Sequence, residues 1–141
     1  MKKKTAGPSA AVVFHDLGQA VTALEASAEL GRPVALWSAA GAGIYAGAGW
    51  FAALERRARA SVPGAQADFI LDCAERADLA QEAFRAGVKD VCFTGPAPVA
   101  ERLADIAGKW RASLHRRRPK ALDLLEEAAP ATACRRHLGG D

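Results

Sequence analysis

The sequence predicts a single α/β domain of about four parallel strands alternating with helices, arranged in three layers or as a half-barrel. Three observations predict it. Four short, unbroken apolar runs recur along the chain at 11–15 (AVVFH), 33–37 (PVALW), 69–71 (FIL) and 91–93 (VCF). Runs without polar alternation suit strands covered on both faces. Between them lie stretches with apolar residues at helical spacing, several of them stopped by glycine. Strand–helix–strand alternation implies parallel strands joined by right-handed crossovers. The length, 141 residues, suits one compact domain.

Residues 1–9 read as a disordered leader, rich in lysine and containing Gly7-Pro8-Ser9. The folded domain is expected over 10–115. The first helix runs from 17 to 30, with Leu17, Val21, Leu24 and Ala28 on one face, and stops at Gly31. After the second strand comes a glycine–alanine tract, 41–49, read as a loop. A second helix over 50–60 sets Phe51, Leu54 and Ala58 against Arg56, Arg57 and Arg59. The third helix covers 78–86 and stops at Gly87. The fourth covers 98 to about 114, with Val99, Leu103, Ile106 and Trp110 as its stripe. Beyond it, 116–141 reads as a basic segment with a short helix over 121–129 and a flexible tail.

The net charge is +3, and its excess sits at the two ends, in Lys2–Lys4 and in Arg116, Arg117, Arg118 and Lys120. A nucleic-acid-binding domain carries its charge as a stripe on folded structure, so nucleic acid is disfavoured and solvated ends are the plainer reading. Cys73, Cys92 and Cys134 are odd in number and widely spaced, which excludes a disulfide framework and a structural zinc site and fits a reducing cytoplasm. No apolar stretch reaches spanning length, and the basic start lacks the apolar core of a signal peptide. The alanine-rich composition, with 19 Lys and Arg, suggests a GC-rich bacterial genome by association.

Sliding the chain by 56 residues lays Asp16 on Asp72, Gly31 on Gly87, Ala35 on Val91, Trp37 on Phe93 and Ser38 on Thr94 without a gap. Duplication would explain this, and so would the rhythm common to all βαβ units. In either case a parallel sheet brings every strand's C-terminal end to one rim, where ligands bind. That rim would carry His15, Asp16, Ser38, Asp72, Cys73, Thr94 and Gly95. Asp16 and Asp72 are the candidate catalytic pair, as acid and base or as ligands of a divalent ion. Capping of the following helices is the plainer role. Gly41-x-Gly43-x-x-Ala46 follows a strand and opens a helix, as in phosphate-binding loops. It follows the second strand, however, and no acidic residue stands about 20 positions on. Ser38, Gly41, Gly43, Thr94 and Gly95 are therefore the candidate phosphate ligands, against plain readings as a close-packing tract and a helix start. His15 with Cys73 is a candidate nucleophilic pair that lacks a third, orienting group.

The stretch 67–110, ADFILDCAERADLAQEAFRAGVKDVCFTGPAPVAERLADIAGKW, resembles a βαβα piece of the aldolase and phosphate-binding (βα)8-barrel families. The resemblance implies that Thr94 and Gly95, just past a strand, help hold a phosphate. The Schiff-base lysine of class I aldolases has no counterpart within a strand, since Lys89 sits at a strand start. Four βα units would make at most half a barrel.

Two functions are expected on these grounds. One is a cytoplasmic protein that acts by binding or self-association, as a homodimer, with no evident cofactor, metal or membrane partner. The other is a small enzyme or binding module for a phosphorylated or nucleotide ligand at the strand ends. Trp50, Phe51 and Tyr45, beside the glycine tract, are read as a lid, a subunit interface or core.

Overall fold

The computed structural model describes residues 9–139. The proposed leader lies outside them except for Ser9. Strands and helices alternate: β1 (Ala10–Val13), α1 (Leu17–Leu30), β2 (Val34–Trp37), α2 (Ala42–Tyr45), α3 (Ala48–Ser61), β3 (Ala67–Asp72), α4 (Ala77–Arg85), β4 (Asp90–Cys92), α5 (Ala97–Lys109), β5 (Ser113–His115), β6 (Leu122–Asp123), a 3-10 turn (Leu124–Glu126) and α6 (Pro130–Gly139). The six strands form one sheet in the order β5-β4-β3-β2-β1-β6, and all of them run parallel. The sheet thus has two more strands than the four expected: β5 takes the end of the expected fourth helix, and β6 with the 3-10 turn replaces the short helix expected over 121–129, the helix of this region being α6 instead.

Side-chain alternation along each strand splits the core in two. Val12, Phe14, Leu36, Phe69, Leu71, Val91 and Phe93 join the buried residues of the helices in the larger cluster. Ala11, Val13, Trp37, Ile70 and Cys92 form the smaller one, which contains no helical residue. The helices therefore cover one face of the sheet. Phe14, Phe51 and Phe69 pack tilted and edge-to-face at centroid distances of 5.8–6.3 Å, and Arg59 lies over Phe69 at 4.9 Å while donating to the Ala67 carbonyl.

Helix ends follow the sequence where glycine marks them. Gly31 closes α1 at φ 64 and Gly87 follows α4 at φ 97, the left-handed conformation that costs glycine least. The fourth expected helix instead stops at Lys109. Arg111 turns left-handed (φ 57), the Ala112 amide reaches back to the Ala107 carbonyl, and Trp110, expected in the apolar stripe, stands largely exposed. The chain then enters β5. Part of the glycine tract is helical as well, as α2.

The 56-residue correspondence fails at the level of the sheet. Trp37 belongs to the helix-free cluster and Phe93 to the helix-covered one. A shift of one position reverses every side chain of a strand, so the two halves are not superposable copies.

The segment read as a tail is integral. Helix α6 packs along α1, Cys134 and Leu138 are buried, and His137 Nε2 donates to the Ala11 carbonyl at 3.0 Å. Leu138→Ala is expected to cost about 2–3 kcal/mol, as for other buried leucines, where a loose tail would cost nothing. Urea unfolding of the two chains measures the difference.

Candidate functional site

With all strands parallel, the predicted rim exists: every strand delivers its C-terminal end to one edge. Its residues do different things there. Asp16 caps α1, its carboxylate accepting the Gln19 amide at 2.8 Å, while the Gln19 side chain accepts the His15 amide at 2.8 Å. Asp72 does not cap a helix. Its Oδ1 takes the amide of Ala74 (2.8 Å), a residue held at φ 53, and its Oδ2 takes Nη1 of Arg118 at 2.9 Å. Ser38 is buried on both counts of its hydroxyl: it accepts the Asp72 amide (3.0 Å) and donates to the Ala39 carbonyl (3.0 Å). Asp16 and Asp72 belong to strands separated by β2 and engage different partners, so each works alone.

The candidate phosphate ligands are largely occupied by packing. Gly41 turns left-handed (φ 71) ahead of α2. Gly43 lies against the β3 end: a Cβ there would stand 2.9 Å from Cys73 Sγ and 3.2 Å from the Asp72 carbonyl. At Gly95 a Cβ would fall 2.4 Å from the Phe93 ring, and its carbonyl accepts Arg116 Nη2 at 2.8 Å. Thr94 is exposed, and its amide donates to Ala74. Pro96 and Pro98 at the start of α5 have no N–H, which removes two of the donors an anion would use there.

The arrangement adds groups that sequence reasoning missed. His15 Nε2 meets Asp123 Oδ1 at 2.7 Å across the β1–β6 pair. Burial tends to raise the Asp123 carboxyl. The Leu125 amide, the His15 ring and the charge of Arg118 outweigh that and hold it below the usual carboxylate range. An ionised Asp123 only accepts, so Nε2 donates to it and the ring is held in one orientation. A second such pair, His115 Nε2 with Asp90 Oδ1 at 2.9 Å, lies across β4–β5, with the His115 ring edge-on to Trp37 at 5.6 Å. The pairing of His15 with Asp123 has no local signal, because 108 positions separate them.

A cleft of about 250 Å³ opens beside His15 between the start of α1 and α3, lined by Asp16, Leu17, Trp50, Ala53, Leu54 and Arg57 as well. Leucine, alanine and indole surfaces form its walls, and Arg57 brings an exposed cation to it.

The thiols contribute no nucleophile near neutral pH. Burial, reinforced by the charge of Asp72, pushes Cys73 up to about 12, and burial pushes Cys92 and Cys134 up to about 11. Among the described residues no group of three or more His, Cys, Asp or Glu is placed to hold a metal ion, and no helix is long and apolar enough to cross a membrane.

Two outcomes follow. Gly43→Ala meets backbone and is expected to cost about 1–3 kcal/mol, whereas Gly49→Ala, with open space around it in α3, is expected to be neutral or stabilising by up to about 1 kcal/mol. Denaturant melts of both variants check the contrast. The raised thiol pKa values also set the sign of an alkaline response. The folded state holds these protons more tightly than the unfolded chain, so the stabilisation is complete below pH 9 and is lost as pH rises towards 11–12. Each thiol contributes up to ~1.4 kcal/mol per pH unit in that window. Urea midpoints between pH 8 and 10.5 are expected to fall, less steeply in Cys92→Ala.

Sequence comparison finds no family model that matches the chain and no curated protein similar to it.

Proposed function

We propose that the protein acts by binding a small organic anion with an apolar body, seated in the His15 cleft at the C-terminal rim of the sheet. The observation that carries this reading is the cleft itself. Its walls are largely apolar, Arg57 supplies a positive charge, His15, oriented by Asp123, supplies a polar ring, and the Asp16 carboxylate on the same lining is engaged by the Gln19 amide. A small pocket with few polar groups on apolar walls suits a ligand fixed by one charge and one hydrogen bond. A carboxylate or a phosphate monoester meets the charge of Arg57, and a hydroxyl on the ligand meets the His15 ring. One-directional winding with helices on one face is half-barrel-like. The resemblance of 67–110 to phosphate-binding barrels agrees with a site at strand ends, although the cleft lies past the end of β1, against α3, rather than at Thr94 and Gly95. Its groups are a binding set, with no activated nucleophile among them.

A thermal-shift panel tests the reading with inorganic phosphate, sugar phosphates, nucleotides, and aliphatic and aromatic carboxylates. A ligand at a hundredfold excess over its Kd is expected to add ~2.7 kcal/mol of stability, seen as a rise of several degrees in Tm. Arg57→Ala and Trp50→Ala are each expected to weaken the response at least fivefold. A flat response across the panel, or a shift that both variants leave intact, overturns the assignment to this cleft.

Homodimer formation is the second reading, on a separate observation. Ile44, Tyr45 and Trp50 follow β2, Leu125 follows β6, and these side chains are exposed, Tyr45 at 69% and Leu125 at 66%. They stand on connections leaving the strand C-terminal ends, so a second copy would bury apolar surface at the same end of the sheet. Sedimentation at two concentrations, with and without Tyr45→Ser and Leu125→Ser, measures it. A monomer at both concentrations removes this reading and leaves the first standing.

A further inference from the structure

The helix-free face carries a second constellation, at the β2–β3 part of the rim. Asp72 is buried there, and its Oδ2 receives Arg118 Nη1 at 2.9 Å. The guanidinium carbon of Arg118 stands 5.3 Å from the centre of the Trp37 ring, which is itself buried. An aromatic face beside a buried carboxylate is the donor set that recognises a guanidinium, by attraction to the ring and by a charge-assisted hydrogen bond. The occupant comes from 116–121, which crosses from β5 at one edge of the sheet to β6 at the other. Among the described residues, 116–120 make no backbone hydrogen bond. Arg117, Pro119 and Lys120 are exposed. Two side chains tie the crossing down by hydrogen bonds, Arg116 on the Phe93 and Gly95 carbonyls at 2.6 and 2.8 Å and Arg118 on Asp72, and Ala121 packs against the helix-free cluster where the segment meets β6. The arginine is thus a ligand tethered to its own receptor by a segment without a ladder.

We propose that Trp37 and Asp72 form a guanidinium-binding site whose resident, exchangeable occupant is Arg118, and that a free alkylguanidinium displaces it and lifts 116–121 from the sheet face. The ligand class is a monoalkylguanidinium, free or as the arginine side chain of another chain. An alkylammonium is the wrong cation, because it lacks the planar fork that spreads over the ring while bonding the carboxylate. The tether competes at an effective concentration of millimolar order, so displacement needs more ligand than filling the vacated site.

Trp50→Phe and Trp110→Phe leave Trp37 as the only tryptophan of the full chain, and its fluorescence reads the site. In that background Arg118→Ala is expected to lose thermal stability, and methylguanidinium is expected to restore it while shifting Trp37 emission saturably. Adding Asp72→Asn is expected to abolish both effects. The chain that keeps Arg118 is expected to give the same emission shift at about tenfold more ligand. Methylammonium at equal ionic strength is expected to do neither. Silence of the Arg118-containing chain at a hundredfold the concentration that saturates Arg118→Ala makes the arginine a permanent filler and overturns the proposal. An equal response to methylammonium overturns it as well. Should Arg118→Ala not fold, Arg118→Lys carries the same titration, and a folded Arg118→Lys chain that ignores methylguanidinium is also a refutation.

Discussion

The handedness of the strand crossovers governs everything else in this molecule. Five consecutive parallel strands step in the same direction across the sheet, from β1 to β5. A right-handed crossover repeated in one direction lays each helix on the same face. One face is thereby sealed by helices, and the other receives none. The sixth strand then pairs with the first, at the opposite edge, so the chain must travel back over the whole width of the sheet. The crossing of 116–121 is a consequence of that topology, and its two arginines fix it by hydrogen bonds while Ala121 packs against the helix-free cluster at its end. Asp72 is the residue on which this depends most. Its amide, both carboxylate oxygens and its buried position tie β2, the turn after β3 and the returning segment together.

What was legible in the sequence divides along the same line. The first four strands and the helices between them show as apolar runs and helical stripes because they are sealed on the helix side and packed on the other. Gly31 and Gly87 mark their helix ends because only glycine enters the left-handed conformation without strain. The fifth strand was illegible for the converse reason. Arg111 takes the left-handed turn that closes α5, and an arginine carries no such signal. The strand itself is Ser-Leu-His, with one side chain for the core. The sixth strand is two residues long. Helix α6 hides behind arginines: of its residues only Cys134 and Leu138 are buried, and its partner α1 stands more than a hundred positions away.

The rim was legible as a place and illegible as a mechanism. Parallel alternation is enough to gather Asp16, Ser38, Asp72 and Thr94 at one edge. Their jobs depend on what each meets, and those partners come from afar. Asp16 has a local partner, Gln19, and local reasoning found its cap. Asp72 has Arg118, 46 positions on, and His15 has Asp123. The glycine tract matched a phosphate-binding spacing because small residues satisfy many such patterns. At Gly43 the requirement for a small residue comes from the Cys73 side chain and the Asp72–Cys73 backbone, which leave no room for a Cβ. Spacing alone does not distinguish a backbone that must approach a ligand from one that must approach its neighbour.

The rim is thus divided between two kinds of site. Past β1 the edge is open, with a cleft against α3, an imidazole oriented from β6 and an exposed cation. At β2 and β3 it is closed by a cation that the chain provides itself. The division has a physical origin in the short sixth strand. Two residues of pairing, at Val12 and Val13, anchor the end of the crossing beside His15 and set Asp123 against it. The middle of the crossing spans β3 and β2 with no ladder and relies on charge. A chain that continued the winding would have set its sixth strand beside β5, with no return over this face. Returning instead, it filled the face with arginine, and a buried carboxylate beside an indole became necessary to receive it, because an unpaired guanidinium or an unpaired Asp72 would be costly to bury.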